Sequence, residues 1–544
     1  MKEFSFDIDA SLRKGLRRLN KEVRQEPGLI SLFNWEPTDV GVVPYNYVVN
    51  PFSPELLYMY GIQFDYPFPQ MFVGKAKALL CTRDSIYMVN IDTWDSLYKL
   101  TLYDIDNPSQ EASIQPGNYW HLIDLEESWF LTNGASTVFF SGKDVMTGGD
   151  EKVYIKNGMP VSCGSYYKGR VVLGGFDYTR FWDSTWQSFW NSWQKKKKDT
   201  GLDFSREEAE GSIDMPVGKN WIWWSSIGGG DTQLLFSSSL LDSGYVGSTY
   251  GSDKPFVFDL LKRNEQGFSQ LPFTGQVIKL KELGDYLIAY TKTGVIALKH
   301  VGLEIGSTLA QVTIPELEHV GLYSTGAVDG DRNHHVFLDP SGFLWELGRD
   351  LSVVPLGYRE YLYPMIDQNP VIYFASRPWG IDQYGEFFIC TSDKTYKLVK
   401  NGLMETGQRL SSARYIAGTC VGICTEYSDE KEAYFATDVI DFSQPGYKTI
   451  NSVVVLNTEI RTSDKPKVYV AIDYRYRQSG EFVTGEYRQC NYEGVATFPV
   501  SGVDFRVRVK TDNFRRIDIG TVRINYQVND RRFQRSISVT EIRG

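Results

Sequence analysis

Residues 128–142 read "SWFLTNGASTVFFSG", two short apolar runs joined by Asn133 and Gly134. Aromatic and β-branched residues favour strands, and Asn-Gly between two such runs favours the two-residue turn of a β-hairpin. The same pattern recurs with other turn residues at 77–91, 169–182, 285–299, 334–348 and 386–400. We therefore predict that consecutive antiparallel hairpins make up most of the chain.

The spacing of these hairpins indicates the architecture of the region from about 56 to 430. Successive hairpins are about 40 to 60 residues apart, a period typical of the four-stranded blades of a β-propeller. Helical periodicity is nearly absent, and 14% of the residues are aromatic. The sequence therefore predicts an all-β fold in which residues 56–430 form a β-propeller of about five to seven blades.

One segment, at about 180–220, departs from the strand pattern and is predicted to be an insertion in the propeller. Its tryptophans recur at helical spacing and are followed by four lysines. The stripe would dock on a partner, lie on a membrane surface or pack on its own propeller, and we take the first as the assembly hypothesis. The candidate interface residues are Trp182, Trp186, Trp190, Trp193, Lys195, Lys196, Lys197 and Lys198.

Residues 221–236, "WIWWSSIGGGDTQLLF", contain three consecutive glycines that invite a search for a phosphate loop. A P-loop requires Gly-Lys-Ser or Gly-Lys-Thr after the glycines, and a nucleophile elbow requires Gly-x-Ser-x-Gly. Neither pattern occurs in this stretch. Glycine permits the positive φ angles of tight turns, so we predict that Gly228–Asp231 joins "WIWW" to "TQLLF" as a hairpin tip.

The C-terminal residues 431–544 alternate between apolar and polar positions. In "VDFRVRVK", residues 503–510, Phe505 and Val507 alternate with Arg506, Arg508 and Lys510. This pattern predicts half-buried antiparallel strands, here with a basic outer face. Several such strands separated by turn residues predict a C-terminal antiparallel β-sandwich.

Residues 1–55 are predicted to form an N-terminal arm. The leucines of this segment suggest a short helix, whereas Gly15 and the Glu-Pro-Gly at 26–28 favour an extended path. The basic residues are candidate contacts for an anionic partner or a solvated face. These candidates are Arg13, Lys14, Arg17, Arg18, Lys21 and Arg24.

Charge is unevenly distributed along the chain. The net charge is −10, yet residues 448–544 carry 17 Lys and Arg against 11 Asp and Glu, an excess of six positive charges. The middle of the chain is therefore acidic and both ends are basic. We expect this asymmetry to govern the choice of partners.

The sequence offers no set of residues that specifies catalysis or metal binding. The adjacent His334 and His335 would point to opposite faces of a strand, and 329–335, "DGDRNHH", has only the opening of a calcium loop. A glycosidase needs two carboxylates across a pocket, and no spacing selects a pair. We predict no catalytic residue, cofactor or metal ligand, and no enzyme activity. Six cysteines in 544 residues, no secretory leader and no long apolar run favour folding in a reducing cytoplasm without a membrane span.

Several stretches resemble the tail nozzle, or tail hub, proteins of short-tailed bacteriophages, which stabilise packaged DNA. The stretches are "GLRRLNKEVRQEPGLISLFNWEPTDVGVVP" (15–44), "FDYTRFWDS" (176–184), "NWIWWSSIGGGDTQLLF" (220–236) and "FRVRVKTDNFRRIDIGTVRINYQVNDRR" (505–532). The order of basic arm, aromatic-rich propeller and closing sandwich is also similar. The resemblance extends over most of the chain as a general residue pattern, and no fixed sequence motif carries it.

The resemblance implies a virion protein made in the host cytoplasm. It implies a homo-oligomeric, six-fold ring below the portal and adaptor proteins, with a channel for double-stranded DNA and attached tail fibres or spikes. Acidic walls would repel the DNA phosphates, so that the genome slides without adhering. The alternative is a propeller-based tail protein that binds or hydrolyses carbohydrate.

Overall fold

The computed structural model describes most of the 544 residues. The described residues are 3–18, 28–74, 77–104, 107, 109–117, 119–124, 128–141, 153–157, 162–175, 219–224, 267–301, 309–375, 384–416, 419–424, 432–444, 446–460, 467–513 and 517–529.

The N-terminal arm is built of short elements. They are β1 (Glu3–Asp7), α1 (Asp9–Lys14), β2 (Leu29–Phe33), β3 (Trp35–Thr38), β4 (Gly41–Pro44) and α2 (Pro54–Met59). Helix α1 ends at Gly15, which has a φ of 64° that glycine adopts readily. Both expectations for this segment were therefore partly correct: a short helix forms and the chain then becomes extended.

Seven sheets follow one another from Gln70 to Cys424 within the described ranges. Blade one has β5 (Gln70–Val73), β6 (Lys77–Cys81), β7 (Ile86–Asn90) and β8 (Tyr98–Lys99). Blade two has β9 (Leu102–Asp104), β10 (His121–Asp124), β11 (Ser128–Thr132), β12 (Ser136–Ser141) and β13 (Val153–Asn157). Blade three has β14 (Cys163–Tyr167), β15 (Arg170–Gly174), β16 (Trp221–Trp224) and β17 (Gly267–Gln270). Blade four has β18 (Val277–Leu283), β19 (Tyr286–Thr291), β20 (Val295–His300) and β21 (Leu309–Thr313); blade five has β22 (Val328–Gly330), β23 (His334–Leu338), β24 (Leu344–Gly348) and β25 (Val353–Gly357); blade six has β26 (Val371–Ala375), β27 (Glu386–Cys390), β28 (Thr395–Val399) and β29 (Gly402–Thr406); blade seven has β30 (Leu410–Ile416) and β31 (Thr419–Cys424). Short helical turns lie at Pro315–Leu317, α3 (Arg359–Leu362) and Tyr363–Gln368.

The sheets form a ring, which confirms the predicted propeller. The first strands of neighbouring sheets approach one another, and β30 of the last sheet packs against β5 of the first. Between blades one and two, Gln70 and the backbone of Trp120 exchange two hydrogen bonds of 2.6 and 3.1 Å. The arm adds to blade seven, because Val49 donates its N–H to Cys420 and accepts one from Gly422.

The C-terminal strands form two sheets that share one core with the arm. They are β32 (Ala433–Thr437), β33 (Lys448–Ile460), β34 (Val468–Arg475), β35 (Arg488–Gln489), β36 (Val495–Gly502), β37 (Asp504–Thr511) and β38 (Ile517–Val528). One sheet has the order β3-β4-β38-β33-β36, with β1 also paired to β38. Val453 and Ile524 of this sheet and Val507 and Val509 of the other are buried in one cluster. This arrangement is the predicted sandwich.

The arm joins the two domains through backbone hydrogen bonding. Strand β2 pairs in parallel with β29 of blade six and antiparallel with β32 of the sandwich. A single nine-stranded sheet therefore runs β26-β27-β28-β29-β2-β32-β37-β34-β35 through both domains. The propeller and the sandwich are therefore linked through strand β2 of the arm, whose pairing with β29 consists of the residue pair Phe33 and Glu405.

The sequence predicted that β16, "WIWW", forms a hairpin with the run after the glycine triplet. This prediction is wrong for β16, the part of the hairpin that the structure describes. Strand β16 pairs with β15 on one side and with β17 on the other, so both of its edges are occupied. Its second partner, β17, begins at Gly267. The prediction paired β16 with the nearest apolar run in the chain, whereas its partner β17 begins 43 residues after Trp224. Gly228–Asp231 lies outside the described residues.

Candidate assembly surfaces

The basic residues of the arm do not share one surface. Arg13 is exposed and pairs with Asp9 one helical turn earlier, at 3.3 Å. Lys14 and Arg18 are also exposed. Lys21 and Arg24 lie outside the described residues, as do the tryptophans and lysines proposed from the 180–220 segment.

Arg17 has an internal structural role, which corrects its assignment as a docking residue. Its Nη2 lies 2.6 Å from Glu360 Oε1, and its Nη1 pairs with Asp438 of the sandwich. Burial disfavours the charged guanidinium, but the two carboxylates outweigh it and raise the pKa of Arg17 above its ordinary value. Arg17 thus ties the arm to a propeller loop and to the sandwich, and its charge is already matched within the subunit.

The basic outer face predicted for β37 exists, but aromatic side chains cover it. Arg506, Arg508 and Lys510 are half-buried, while the residues between them are buried. The Arg506 guanidinium lies 4.3 Å from the centroid of Phe482, and Arg508 and Lys510 each lie 4.9 Å from Tyr487. These cation–π contacts stabilise the loop that crosses the sheet.

Carboxylates match two of these cations. Arg508 Nη2 lies 2.8 Å from Asp473 Oδ1, and Lys510 Nζ lies 2.7 Å from Glu432 Oε1. Hydrogen bonding to Glu432 raises the pKa of Lys510. The positive charge of this face is therefore largely neutralised within the subunit. Although the three basic side chains point outward, they do not form an open anion-binding surface.

Exposed aromatic side chains lie on the outer side of this covered sheet. The sandwich patch consists of the exposed Tyr487 and Tyr492, which lie on either side of β35 in the chain, and Tyr492 is 90% exposed. The patch borders β35, the two-residue strand at the edge of the nine-stranded sheet. Tyrosine is enriched in the centres of protein interfaces, and sheet edges are ready sites for a further chain.

A second exposed apolar patch lies on the propeller. The blade-one patch consists of Tyr58, Met59 and Tyr60 at the end of α2, with Tyr58 82% exposed. Tyr60 packs edge-on against Tyr87 of blade one, with ring centroids 5.7 Å apart. Leu56 of the same helix is buried in the cluster that joins blades one and seven. The helix thus presents an apolar end while its other side is anchored.

The remaining candidates for chemistry have structural roles. His334 packs among Phe374, Tyr384 and Phe387, whereas His335 Nδ1 lies 2.9 Å from the Tyr290 hydroxyl. The two histidines therefore face opposite sides of β23, as predicted. Asp331 accepts the backbone N–H groups of Asn333 and His334 and so forms the turn between β22 and β23.

The described ranges contain neither a metal-binding cluster nor a membrane-spanning helix. No group of three or more His, Cys, Asp or Glu side chains there is placed to hold a metal ion. No helix in the same ranges is long and apolar enough to span a membrane.

Comparison with known proteins adds little to the strand topology. No protein-family model matches the chain, and no curated protein matches it. Among solved structures, the chain is similar to PorZ, a surface component of the type-IX secretion system of Porphyromonas gingivalis, at 8% identity and a TM-score of 0.31, over 68% of this chain and 36% of PorZ. It is similar to the Pan2 WD40 domain of Neurospora crassa at 8% identity and a TM-score of 0.31, over 70% of this chain and 90% of that domain. It is similar to AztD of Citrobacter koseri at 8% identity and a TM-score of 0.26, over 66% and 74% of the two chains. The matched part is thus about a third of PorZ, and at these scores we draw no functional conclusion.

Proposed function

We propose that the chain is a structural subunit of the tail of a short-tailed bacteriophage. Copies would form the nozzle, a six-fold ring below the portal and adaptor proteins that retains the packaged DNA and conducts it during ejection. The family and the six-fold symmetry come from the sequence resemblance. The virion location, the fibres or spikes on its outside and the acidic channel walls are parts of the same proposal.

The observation that supports the proposal is the connection of two domains through a shared sheet, with exposed aromatic residues on each. The nine-stranded sheet contains strands of both the propeller and the sandwich. A ring is built from head-to-tail contacts, in which one surface of each subunit meets a different surface of the next. The blade-one patch and the sandwich patch supply two such surfaces on one subunit.

The test uses one substitution in each patch. Tyr58→Ser and Tyr492→Ser remove exposed rings, so neither variant should lose folding stability. If the patches meet head to tail, each variant alone should fail to form rings. An equimolar mixture should form dimers, because one intact sandwich patch still meets one intact blade-one patch. Tyr363→Ser, at an exposed site on the loop after α3, is the matched control and should form rings normally.

Light scattering and electron microscopy distinguish the outcomes. Rings from wild type and the control, monomers from each variant and dimers from the mixture would support the proposal. Homodimers of either single variant would indicate that each patch meets its own copy. A wild-type monomer that binds glycans but not portal or adaptor rings would favour the carbohydrate alternative.

A further inference from the structure

The axis of the propeller holds a charged cluster that the proposed function does not use. Strands β5, β10, β14, β18, β22, β26 and β30 line this axis, because it is these strands that approach their counterparts in neighbouring blades. Charged side chains from three of the strands converge there: Lys279 and Lys281 from β18, Asp329 from β22 and Arg414 from β30. They come from blades four, five and seven.

Asp329 is fully coordinated by its neighbours. Its Oδ1 lies 3.1 Å from Lys281 Nζ and accepts the N–H of Gly330 at 2.9 Å. Its Oδ2 lies 3.1 Å from Arg414 Nη1 and accepts the N–H of Phe374 at 2.7 Å. Burial opposes ionisation, but these contacts outweigh it and hold the pKa of Asp329 well below its usual range. The carboxylate has no remaining capacity for a third cation.

Lys279 is the third cation of the cluster, and the one carboxylate that attracts it, Asp329, is already paired with Lys281 and Arg414. Its side chain is half-buried, on the same strand face as Lys281, two residues away. No hydrogen bond or ion pair joins its ammonium group to another residue in the described ranges. Burial and the nearby Lys281 lower the pKa of Lys279 to about 8, so it is mostly charged at neutral pH.

Two further titratable groups near Lys279 in the described part of the chain are neutral at pH 7. His121 of β10 hydrogen-bonds the Ser162 carbonyl through Nε2 at 2.7 Å, and burial lowers its pKa to about 3, so it is neutral. Burial raises the pKa of the Cys163 thiol to about 12, so it is also neutral. Among the described residues, this cluster thus holds three cations and one carboxylate, an excess of two positive charges.

We propose that the propeller axis binds a small oxyanion beside Lys279, with Lys281 and Arg414 adding to the attraction. A sulfate, phosphate or carboxylate group would supply the missing negative charge and hydrogen-bond acceptors. Solvent reaches the cluster, because 37% of the Arg414 side chain and 25% of Lys281 are exposed. The site does not depend on ring assembly, since all its residues belong to one propeller.

The test is a calorimetric titration of the full chain with sodium sulfate at constant ionic strength. Sulfate remains a dianion across the pH range used, so its own titration does not complicate the result. We expect saturable one-to-one binding at pH 7. Above about pH 8 the affinity should fall by up to tenfold per pH unit, as free Lys279 loses its proton. A parallel titration with acetate separates a site for tetrahedral dianions from one for carboxylates.

Three variants locate the site. Lys279→Met should weaken sulfate binding at least tenfold, whereas Lys279→Arg, which keeps the charge, should retain binding. Lys292→Met, at an exposed turn of the same blade, is the control for loss of one positive charge and should bind like wild type. Absence of saturable binding to wild type and to Lys279→Arg, or undiminished binding to Lys279→Met, would overturn the proposal.

Discussion

Replacing Lys397 with methionine should destabilise the contact between the arm and blade six more than any exposed charge change. The Lys397 side chain is fully buried on β28, with Nζ 2.7 Å from Glu36 Oε2 of β3 and 3.1 Å from Glu386 Oε1 of β27. Burial disfavours the ammonium, yet the two carboxylates raise the pKa of Lys397 above its ordinary value. Methionine fills a similar volume but leaves both carboxylates without this cation.

The expected loss follows from breaking a buried ion pair. Removal of one partner from such a pair costs about 3 to 5 kcal/mol, because a buried charge loses its compensation. The chain has more than one domain, so a single unfolding transition is not a safe measure. The opening free energy of the β27 and β28 amides, from native-state hydrogen exchange, reports the loss at the site itself.

Two further variants make the result interpretable. Lys394→Met changes the same residue type in the adjacent turn. Lys394 is 45% exposed and pairs with Glu405 at 3.1 Å. Its replacement should therefore lower the opening free energy by less than about 1 kcal/mol. A triple variant, Lys397→Met with Glu36→Gln and Glu386→Gln, removes the uncompensated charges and should recover most of the stability. Equal losses in Lys397→Met and Lys394→Met would refute the reasoning.

The remaining predictions concern the arm and the response to acid. Arg17→Gln should cost about 1 to 3 kcal/mol of opening free energy in β2, because charged hydrogen bonds to two partners are lost. The control Arg13→Gln should cost less than about 0.5 kcal/mol. Equal effects of the two variants on hydrogen exchange would contradict the structural role of Arg17. Gly402→Ala should expose α1 to proteolysis, because a Cβ there would lie 2.1 Å from the Lys14 carbonyl oxygen; wild-type digestion rates would count against this contact. Burial lowers the pKa of both His121 and His335 to about 3, so the unfolded chain binds more protons below pH 6.5 and stability falls as the pH falls. Each histidine should contribute a loss of about 2 kcal/mol between pH 6.5 and 5, read from the opening free energies of the β10 and β23 amides in native-state hydrogen exchange, and unchanged values over that range would contradict it.

Local signals in the sequence were sufficient to predict most of the hairpins. The predicted pairs at 77–91, 128–142, 285–299, 334–348 and 386–400 are present as adjacent antiparallel strands. The pair predicted at 169–182 is not, because β15 pairs with β14 and β16 and the residues 176–182 lie outside the described ranges. A recurring turn signal went unnoticed: Thr291 and Thr391 each use Oγ1 to accept the backbone N–H three residues later. Asn133 does the same through Oδ1 for Ser136. A Thr or Asn at the start of the turn thus marks the connection between the second and third strands of blades two, four and six.

Contacts between distant segments could not be read from local pattern. Strand β1 pairs with β38, so Glu3 lies opposite Gln527, at almost the other end of the chain. The axial cluster likewise joins Lys279, Asp329 and Arg414 from separate blades, which only closure of the ring brings together. The alternation in β37 predicted which side chains point outward, but not that Phe482 and Tyr487 would cover them, because loop position depends on tertiary packing.

The mass and shape of the purified protein test the proposed function most directly. The measurement is light scattering followed by electron microscopy, on the protein alone and mixed with portal and adaptor rings. We predict a six-fold ring with an open channel, formed alone or on the portal complex. A protein that remains monomeric in both conditions, while its folded state is intact, would contradict the proposal.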